Sequence, residues 1–400
     1  MMHMSFSSVI GQSRVKDILF RAMKENAVAH AYCFYGIKGI GKEALAFAFA
    51  KTMNCFSPIK DQTGNLNACN ECKSCKDADA IQHPNITLIT ALPAGKSASK
   101  SDDSPLLQLT DDMLALYKEH MAFKAQNPYH TILLPNANQI RIASIRDLKK
   151  QLMMSAMQSG RRFFIVSDAE RMTTEAANAF LKTLEEPHDN TTFVLITSQK
   201  DQLPSTILSR CQQVYCDIIA EEDLITSLQK KHDISFDDAR LMQAFAQGSY
   251  GKALEFLDED MRGLRLEIVD ILRAALKRNH YKIDLIHLVD SMVGDKNRTK
   301  VELMLNLLLL WIRDCYYRSI SPDTPNSSIV NLDQLETIDK FVSVFSQADY
   351  QSIMQAVEQA IEQVKRNVNM QLAVLTLLLA CREGFLLNTQ DYMMYSPVAK

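Results

Sequence analysis

The sequence predicts an α/β domain with a parallel sheet and a phosphate-loop motif, followed by a small helical domain and an all-α C-terminal domain. Three observations carry that expectation. A short apolar run at residues 31–35 ends in GIKGIGKE at residues 36–43, and an Ala- and Phe-rich helical stretch follows at 43–53, which is the strand, loop, helix context a P-loop requires. Two further apolar runs, 163–166 and 192–197, flank a helical segment at 176–185, and strands alternating with helices build a parallel sheet. From about residue 220 the spacing is helical almost throughout, and the apolar faces in 261–318 and 335–388, separated by SISPDTPNSS, suggest one bundle.

The remaining elements follow the same rules. Residues 14–26 place Val15, Ile18, Leu19 and Ala22 or Met23 on one helical face. Residues 91–110 are rich in Ser, Lys, Asp and Pro and read as a mobile loop, the first part of a long insertion at about 91–140. Within and after it, residues 111–124 look helical, 139–142 read as a short strand, and 144–157 carry helical spacing at Ile145, Leu148, Leu152 and Met153.

Composition narrows the class. Four hundred residues with 47% apolar and 23% charged side chains suit two or three domains with real cores. A formal net charge of -3 argues against a chain that coats nucleic acid by its overall charge. The opening MMHMSFSSVIGQ lacks the basic and apolar regions of a secretory leader, so a cytoplasmic protein is expected. The apolar stretches at 303–312 and 372–381 are shorter than the roughly 18 residues a membrane span needs and read as buried helices.

The chemistry-bearing residues begin with the loop itself. In GxxxxGK[ST], backbone N–H groups around the glycines cradle phosphate, the lysine reaches its oxygens and the final hydroxyl ligates Mg²⁺. Gly36, Gly39, Gly41 and Lys42 keep the pattern, but Glu43 stands where the hydroxyl belongs. That places ATP or ADP binding in question. At the end of the second apolar run, FFIVSDAERM offers Asp168 and Glu170 as a metal-holding acid and a neighbour, or equally Asp168 as the cap of a turn. Of the nine cysteines, Cys55, Cys69, Cys72 and Cys75 form a CxxCxxC cluster with one cysteine upstream. Four thiolates complete tetrahedral Zn²⁺ and leave no open position, so the predicted ion is structural. Free thiols or a redox pair are the competing reading, and His83 is the weaker candidate ligand. Cys33, Cys211, Cys216, Cys315 and Cys381 read as core or motif residues.

HAYCFYGIKGIGK, ANAFLKTLEEPHDNTTFVLITS and LPSTILSRCQQ, in that order, resemble the bacterial clamp-loader AAA+ subunits of DNA polymerase III. The likeness runs from Phe6 to about Tyr215, and more weakly through NVNMQLAVLTLLL. It implies an AAA+ domain over 1–217 with a zinc module at about 55–75, a lid over 218–260 and an oligomerising collar over 261–400. Registered on LKTLEEP, it puts Ser167 at the Mg²⁺-holding acid and Asp168 at the catalytic Glu. Gly251, with Lys252 next, falls where catalytic members carry a nucleotide-touching Arg. Arg210, in Ser209–Arg210–Cys211, falls at the arginine finger that acts on ATP held by a neighbouring subunit.

The resemblance therefore implies a subunit of a DNA-directed DNA polymerase holoenzyme with little or no ATPase activity of its own. Its partners would be gamma/tau-type and delta-type subunits in a hetero-oligomeric ring, the sliding clamp, and primed DNA through the complex. Two alternatives stand beside it: a catalytic gamma/tau-type ATPase using Lys42, Asp168 and Glu170, and a stand-alone zinc protein that binds nucleic acid.

Overall fold

The computed structural model describes residues 3–386, apart from 95–103, 155–158, 187, 258–260, 278–280, 295–296, 322–328 and 367. The elements run α1 (Ser13–Lys24), β1 (Ala31–Tyr35), α2 (Lys42–Asn54), β2 (Ile59–Lys60), β3 (Leu66–Asn67), α3 (Lys73–Asp79), β4 (Ile86–Ile89), α4 (Asp111–Gln126), α5 (Ile142–Met153) and β5 (Arg162–Val166). After these come α6 (Thr174–Glu185), β6 (Thr191–Thr197), α7 (Ser205–Leu208), β7 (Gln212–Tyr215), α8 (Glu221–His232), α9 (Phe236–Ala246) and α10 (Tyr250–Leu254). The chain ends in α11 (Met261–Ala275), α12 (Tyr281–Val293), α13 (Arg298–Ile320), α14 (Leu335–Val344), α15 (Tyr350–Lys365) and α16 (Met370–Leu386). Two compact units result, one of Met1–His232 with Ala246–Glu255, the other of Asp233–Phe245 with Phe256–Lys400.

The first unit is built on a five-stranded sheet of order β4-β5-β6-β1-β7, parallel throughout. Its inner strands are the apolar runs read from sequence, each found within one residue of the expected bounds. β6 is buried at all seven positions, as a strand covered on both faces requires. The edge strands β4 and β7 were not anticipated. ITLI is interrupted by Thr87 and buries only its two ends, and QQVY buries a single residue, Val214, so neither carries a continuous apolar run.

Two expectations are corrected. Residues 139–142 are not a strand: Ile140 alone makes an isolated bridge to Met172, and α5 already begins at Ile142. The spacing of Ile145, Leu148 and Leu152, all buried, draws the chain into a helix before a ladder can extend. The insertion is also more ordered than its composition implied. Residues 95–103 lie outside the described residues, and 104–110 form no helix or strand. Beyond them α4 is capped by Thr110, whose side chain accepts from the N–H of Met113 at 3.4 Å. Tyr117, Leu134 and Ala137 then join the core formed by α5, α6 and the sheet.

The second unit is helical in all its described elements. α13 is its centre, packed against α11, α14 and α15, and it buries Leu303, Met304, Leu305, Leu307 and Leu308 in the helical core. No helix among the described residues is long and apolar enough to cross a membrane. Of the expected linker SISPDTPNSS, residues 322–328 lie outside the described residues. Trp311 on α13 is 2% exposed, with the ring of Phe341 edge-on at 4.9 Å. Trp311→Ala is expected to cost about 3–5 kcal/mol in urea unfolding followed by circular dichroism, and a loss under about 1 kcal/mol would contradict this packing.

Candidate functional site

The P-loop lies where β1 hands over to α2, at the carboxyl ends of the parallel strands, the usual place for ligands in such sheets. Gly39 and Gly41 take φ of 79° and 94°, a region most side chains avoid, and Gly41 sits at the N-terminus of α2. The turn thus keeps the left-handed glycines of a phosphate-loop pattern. Its polar groups, however, are engaged within the chain.

Lys42 is 5% exposed, and its Nζ donates to the carbonyls of Gly36 at 2.7 Å and Ile37 at 2.6 Å. Burial pushes its ammonium below the ordinary 10.5, while nearby acids, including Glu43, oppose the shift. Glu43 is partly buried and engaged within the chain. One carboxylate oxygen accepts from the hydroxyl of Ser167 and the other pairs with Lys124 of the insertion, itself 1% exposed and also bonded to the carbonyl of His130 at 2.6 Å. Burial alone would raise the Glu43 carboxyl. The charge and hydrogen bond of Lys124, with help from Ser167 and Lys42, outweigh it and hold the group below its usual value.

The acids at the end of β5 are spread apart. Asp168 adopts φ 48° and makes no capping bond, pairing instead with Arg171 at 3.5 Å. Burial raises its carboxyl, against the pull of Arg171. Glu170 accepts from the N–H of Ser198 at 3.2 Å, and its second carboxylate oxygen is buried without a hydrogen-bond partner. The structure also gives Gly251 a role that sequence alone did not reveal. Its N–H donates to the carbonyl of Gly39 at 2.9 Å, and a Cβ at Gly251 would lie 2.9 Å from the Cα of Gly39. Ser249 fastens the same turn by donating to the carbonyl of Lys38 at 2.8 Å. Only glycine lets the two backbones meet.

What remains at the loop is a cavity of about 50 Å³ lined by Lys38, Gly41, Lys42, Glu43, Tyr129 and Asp168 among others. Small-molecule sites run to roughly 300–1,000 Å³, so this space fits a water or two and not a nucleotide. A wider cleft of about 520 Å³ beside it shares Lys38, Asp168 and Ser198 but lacks Gly41, Lys42 and Glu43, the positions that would hold phosphate and its metal.

The four clustered cysteines are brought together as their spacing predicted. Cys55 follows α2, Cys69 follows β3, Cys72 caps α3 and Cys75 lies in its first turn. Their Sγ atoms all lie within 4.8 Å of one another, with Cys55–Cys72 at 4.0 Å and Cys69–Cys75 at 3.9 Å. Such separations are far beyond a disulfide of about 2.05 Å. They are close to the roughly 3.8 Å between ligands of a tetrahedral ion with metal–sulfur bonds of about 2.3 Å. Backbone N–H groups of Cys72 and Glu71 hold the Cys69 thiol down at about 6, whereas burial pushes the Cys55 and Cys75 thiols up. The donor set therefore fits a closed metal site. His83 is engaged elsewhere, by Ser74 at 2.9 Å and the N–H of Asn85 at 3.1 Å. Cys33, Cys211, Cys216, Cys315 and Cys381 are buried.

Arg210 stands apart from all of this. It follows α7 and leads into β7, and its side chain, 37% exposed, pairs with Glu185 at 2.8 Å and donates to the carbonyl of Thr206 at 2.9 Å. β7 runs parallel to β1 with Gln212 opposite Tyr32 and Tyr215 opposite Tyr35. Arg210 therefore sits at the amino end of the strands and Lys42 beyond their carboxyl end, separated by at least the four residues of β7, about 13 Å. An arginine side chain does not span that distance.

Residues 11–219 match the family described as DNA polymerase III, delta subunit. DNA polymerase III subunit delta' of Bacillus subtilis (strain 168) is 26% identical over 380 residues, covering 93% of this chain and 97% of that protein. Subunit delta' of Pseudomonas aeruginosa is 30% identical over 251 residues, 62% of each chain. Subunit tau/gamma of Haemophilus influenzae is 24% identical over 300 residues, 73% of this chain but 36% of that protein.

The contact between Gly39 and Gly251 gives a direct test. Gly251→Arg, which puts an arginine at the position, is expected to destabilise the first unit by about 1–3 kcal/mol in denaturant unfolding, because the new side chain starts inside the turn. No ATPase activity should appear. An undiminished stability would contradict the close approach.

Proposed function

The chain belongs to the DNA polymerase III delta subunit family of clamp-loader proteins, and on that premise we propose that it serves as a delta prime-type subunit that hydrolyses little or no ATP itself and completes a neighbour's ATP site. The observation that carries this reading is the position of Arg210. It is at the wrong end of the sheet for its own P-loop, 37% exposed, and presented just after a short helix where another subunit can reach it.

The chemistry follows from the guanidinium. Its planar fork donates two hydrogen bonds to phosphate oxygens and offsets the charge that grows on the transferred phosphoryl group. Glu185 keeps it extended in the meantime. A half-exposed pair of this kind is worth about 0–1 kcal/mol, so exchanging Glu185 for a neighbour's γ-phosphate costs little. Lys42, bonded to its own loop, and Glu43, paired with Lys124, contribute no hydrolysis. These same contacts weigh against a catalytic gamma/tau-type reading.

In the proposed complex the chain joins gamma/tau-type and delta-type subunits in the cytoplasm and helps place the sliding clamp on primed DNA. Residues 218–260 act as the lid and 261–400 as the collar that holds the ring. Cys55, Cys69, Cys72 and Cys75 would hold a structural Zn²⁺, which fastens the β2–β3 hairpin and α3 to the end of α2 and takes no part in hydrolysis.

Two outcomes are expected. In a reconstituted complex, Arg210→Ala removes the clamp-stimulated turnover of the one site it completes, by about 10³-fold or more at that site, and Arg210→Lys does not restore it. Lys42→Ala leaves turnover unchanged. Full activity of Arg210→Ala would defeat the trans role. Separately, elemental analysis should find one zinc per chain, and chelation or Cys72→Ser should release amide protection over residues 55–75 while the sheet stays protected. Metal-free protein with the same protection would rule the zinc out.

A further inference from the structure

The insertion reaches the P-loop through more than Lys124. Its path explains more. After α4 ends at Gln126, the chain crosses the mouth of the P-loop, and the ring of Tyr129 lies over Gly41, where a Cβ would meet its Cε1 and hydroxyl at 3.0 Å. Tyr129 is 7% exposed and fixed from three sides. Its hydroxyl accepts from the N–H of Ile10 at 2.9 Å, its ring meets Tyr250 edge-on at 4.7 Å, and the ammonium of Lys231 lies 5.9 Å from the ring centre. The next residue, His130, is hydrogen-bonded and stacked to His120 of α4, with 2.8 Å between ring nitrogens.

We propose that the insertion is the internal occupant of this P-loop, with the ammonium of Lys124 in place of the divalent cation and the Tyr129 segment in place of phosphate at the start of α2. Glu43 holds the motif position whose side chain ligates Mg²⁺, and Ser167 ends the strand that carries the metal-holding acid in catalytic sites. In this chain those two side chains bond to each other, and the cation paired with Glu43 is Lys124. The change to Glu43 is then half of a replacement, a carboxylate that suits a fixed ammonium as the hydroxyl suited a hydrated metal. The ring covers Gly41, the residue phosphate would approach most closely. Nucleotide is kept out by competition from within the chain and enters only if residues 124–131 move away.

This deepens the reading of a site without hydrolysis and does not depend on Arg210, whose test is turnover at a neighbour's site. The experiment titrates a fluorescent ATP analogue with Mg²⁺ into the full chain and two variants. Glu43→Ser alone restores the motif hydroxyl and leaves the insertion in place. The triple variant Glu43→Ser, Lys124→Ala, Tyr129→Ala also removes the two occupying side chains. The expected result is no saturable binding by wild type and at least ten-fold tighter binding by the triple variant than by Glu43→Ser. Equal affinities, or no binding by a triple variant whose circular dichroism is native, would overturn the proposal. Hydrogen exchange on the wild type decides the matter if the triple variant does not fold: residues 36–43 and 124–131 should be protected together and unaffected by saturating MgATP, whereas slowing at 36–43 on adding MgATP would refute it.

Discussion

The pairing of Glu43 with Lys124 is the interaction on which the rest of this site depends. It joins the first turn of α2, which begins at the P-loop, to the last turn of α4, which belongs to the insertion. Two charges withdrawn from water need each other. Removing one partner of such a pair typically costs about 3–5 kcal/mol, because the other is left charged and buried. The depressed carboxyl of Glu43 says the same: its charged form is favoured despite burial. Once the pair is made, α4 ends beside the P-loop, the carbonyl of His130 takes a second bond from Lys124, and Tyr129 lies over Gly41.

The two ends of the sheet consequently differ. At the carboxyl end, the loop's lysine bonds carbonyls of its own turn, its glycine meets the backbone of Gly251, and its free volume is about 50 Å³. At the amino end, Arg210 is partly exposed beyond the strands and held by a surface acid, a helix carbonyl and the hydroxyl of Ser209. A P-loop fold can thus persist as a scaffold after its own pocket is filled. The same parallel sheet carries the closed P-loop at one end and positions an arginine at the other.

How much of this was legible depended on the range of the interaction. β1, β5 and β6 were readable because strands buried on both faces are continuously apolar, and the cysteine cluster because three of its four members lie within seven residues. β4 and β7 were not, since these short edge strands are interrupted by polar residues and only partly buried. Gly251 showed in sequence only as an arginine not found; its contact with Gly39 joins residues more than two hundred positions apart, and a glycine carries no sign of what approaches it. Lys124 was hidden most completely. It lies in the last turn of a helix whose apolar pattern is weak, and a lysine at a helix end is ordinarily a solvated one. The acidic residue out of place at Glu43 was the one clue that a buried cation lay elsewhere in the chain.

The measurement that bears most directly on this account is a structure of the assembled clamp loader with a non-hydrolysable ATP analogue and Mg²⁺. The account predicts an empty P-loop in this chain, Tyr129 still over Gly41, and the Arg210 guanidinium within hydrogen-bond distance of the γ-phosphate in an adjacent subunit. Nucleotide bound at Lys42 with residues 124–131 displaced, or Arg210 still paired to Glu185 and remote from any phosphate, would contradict it.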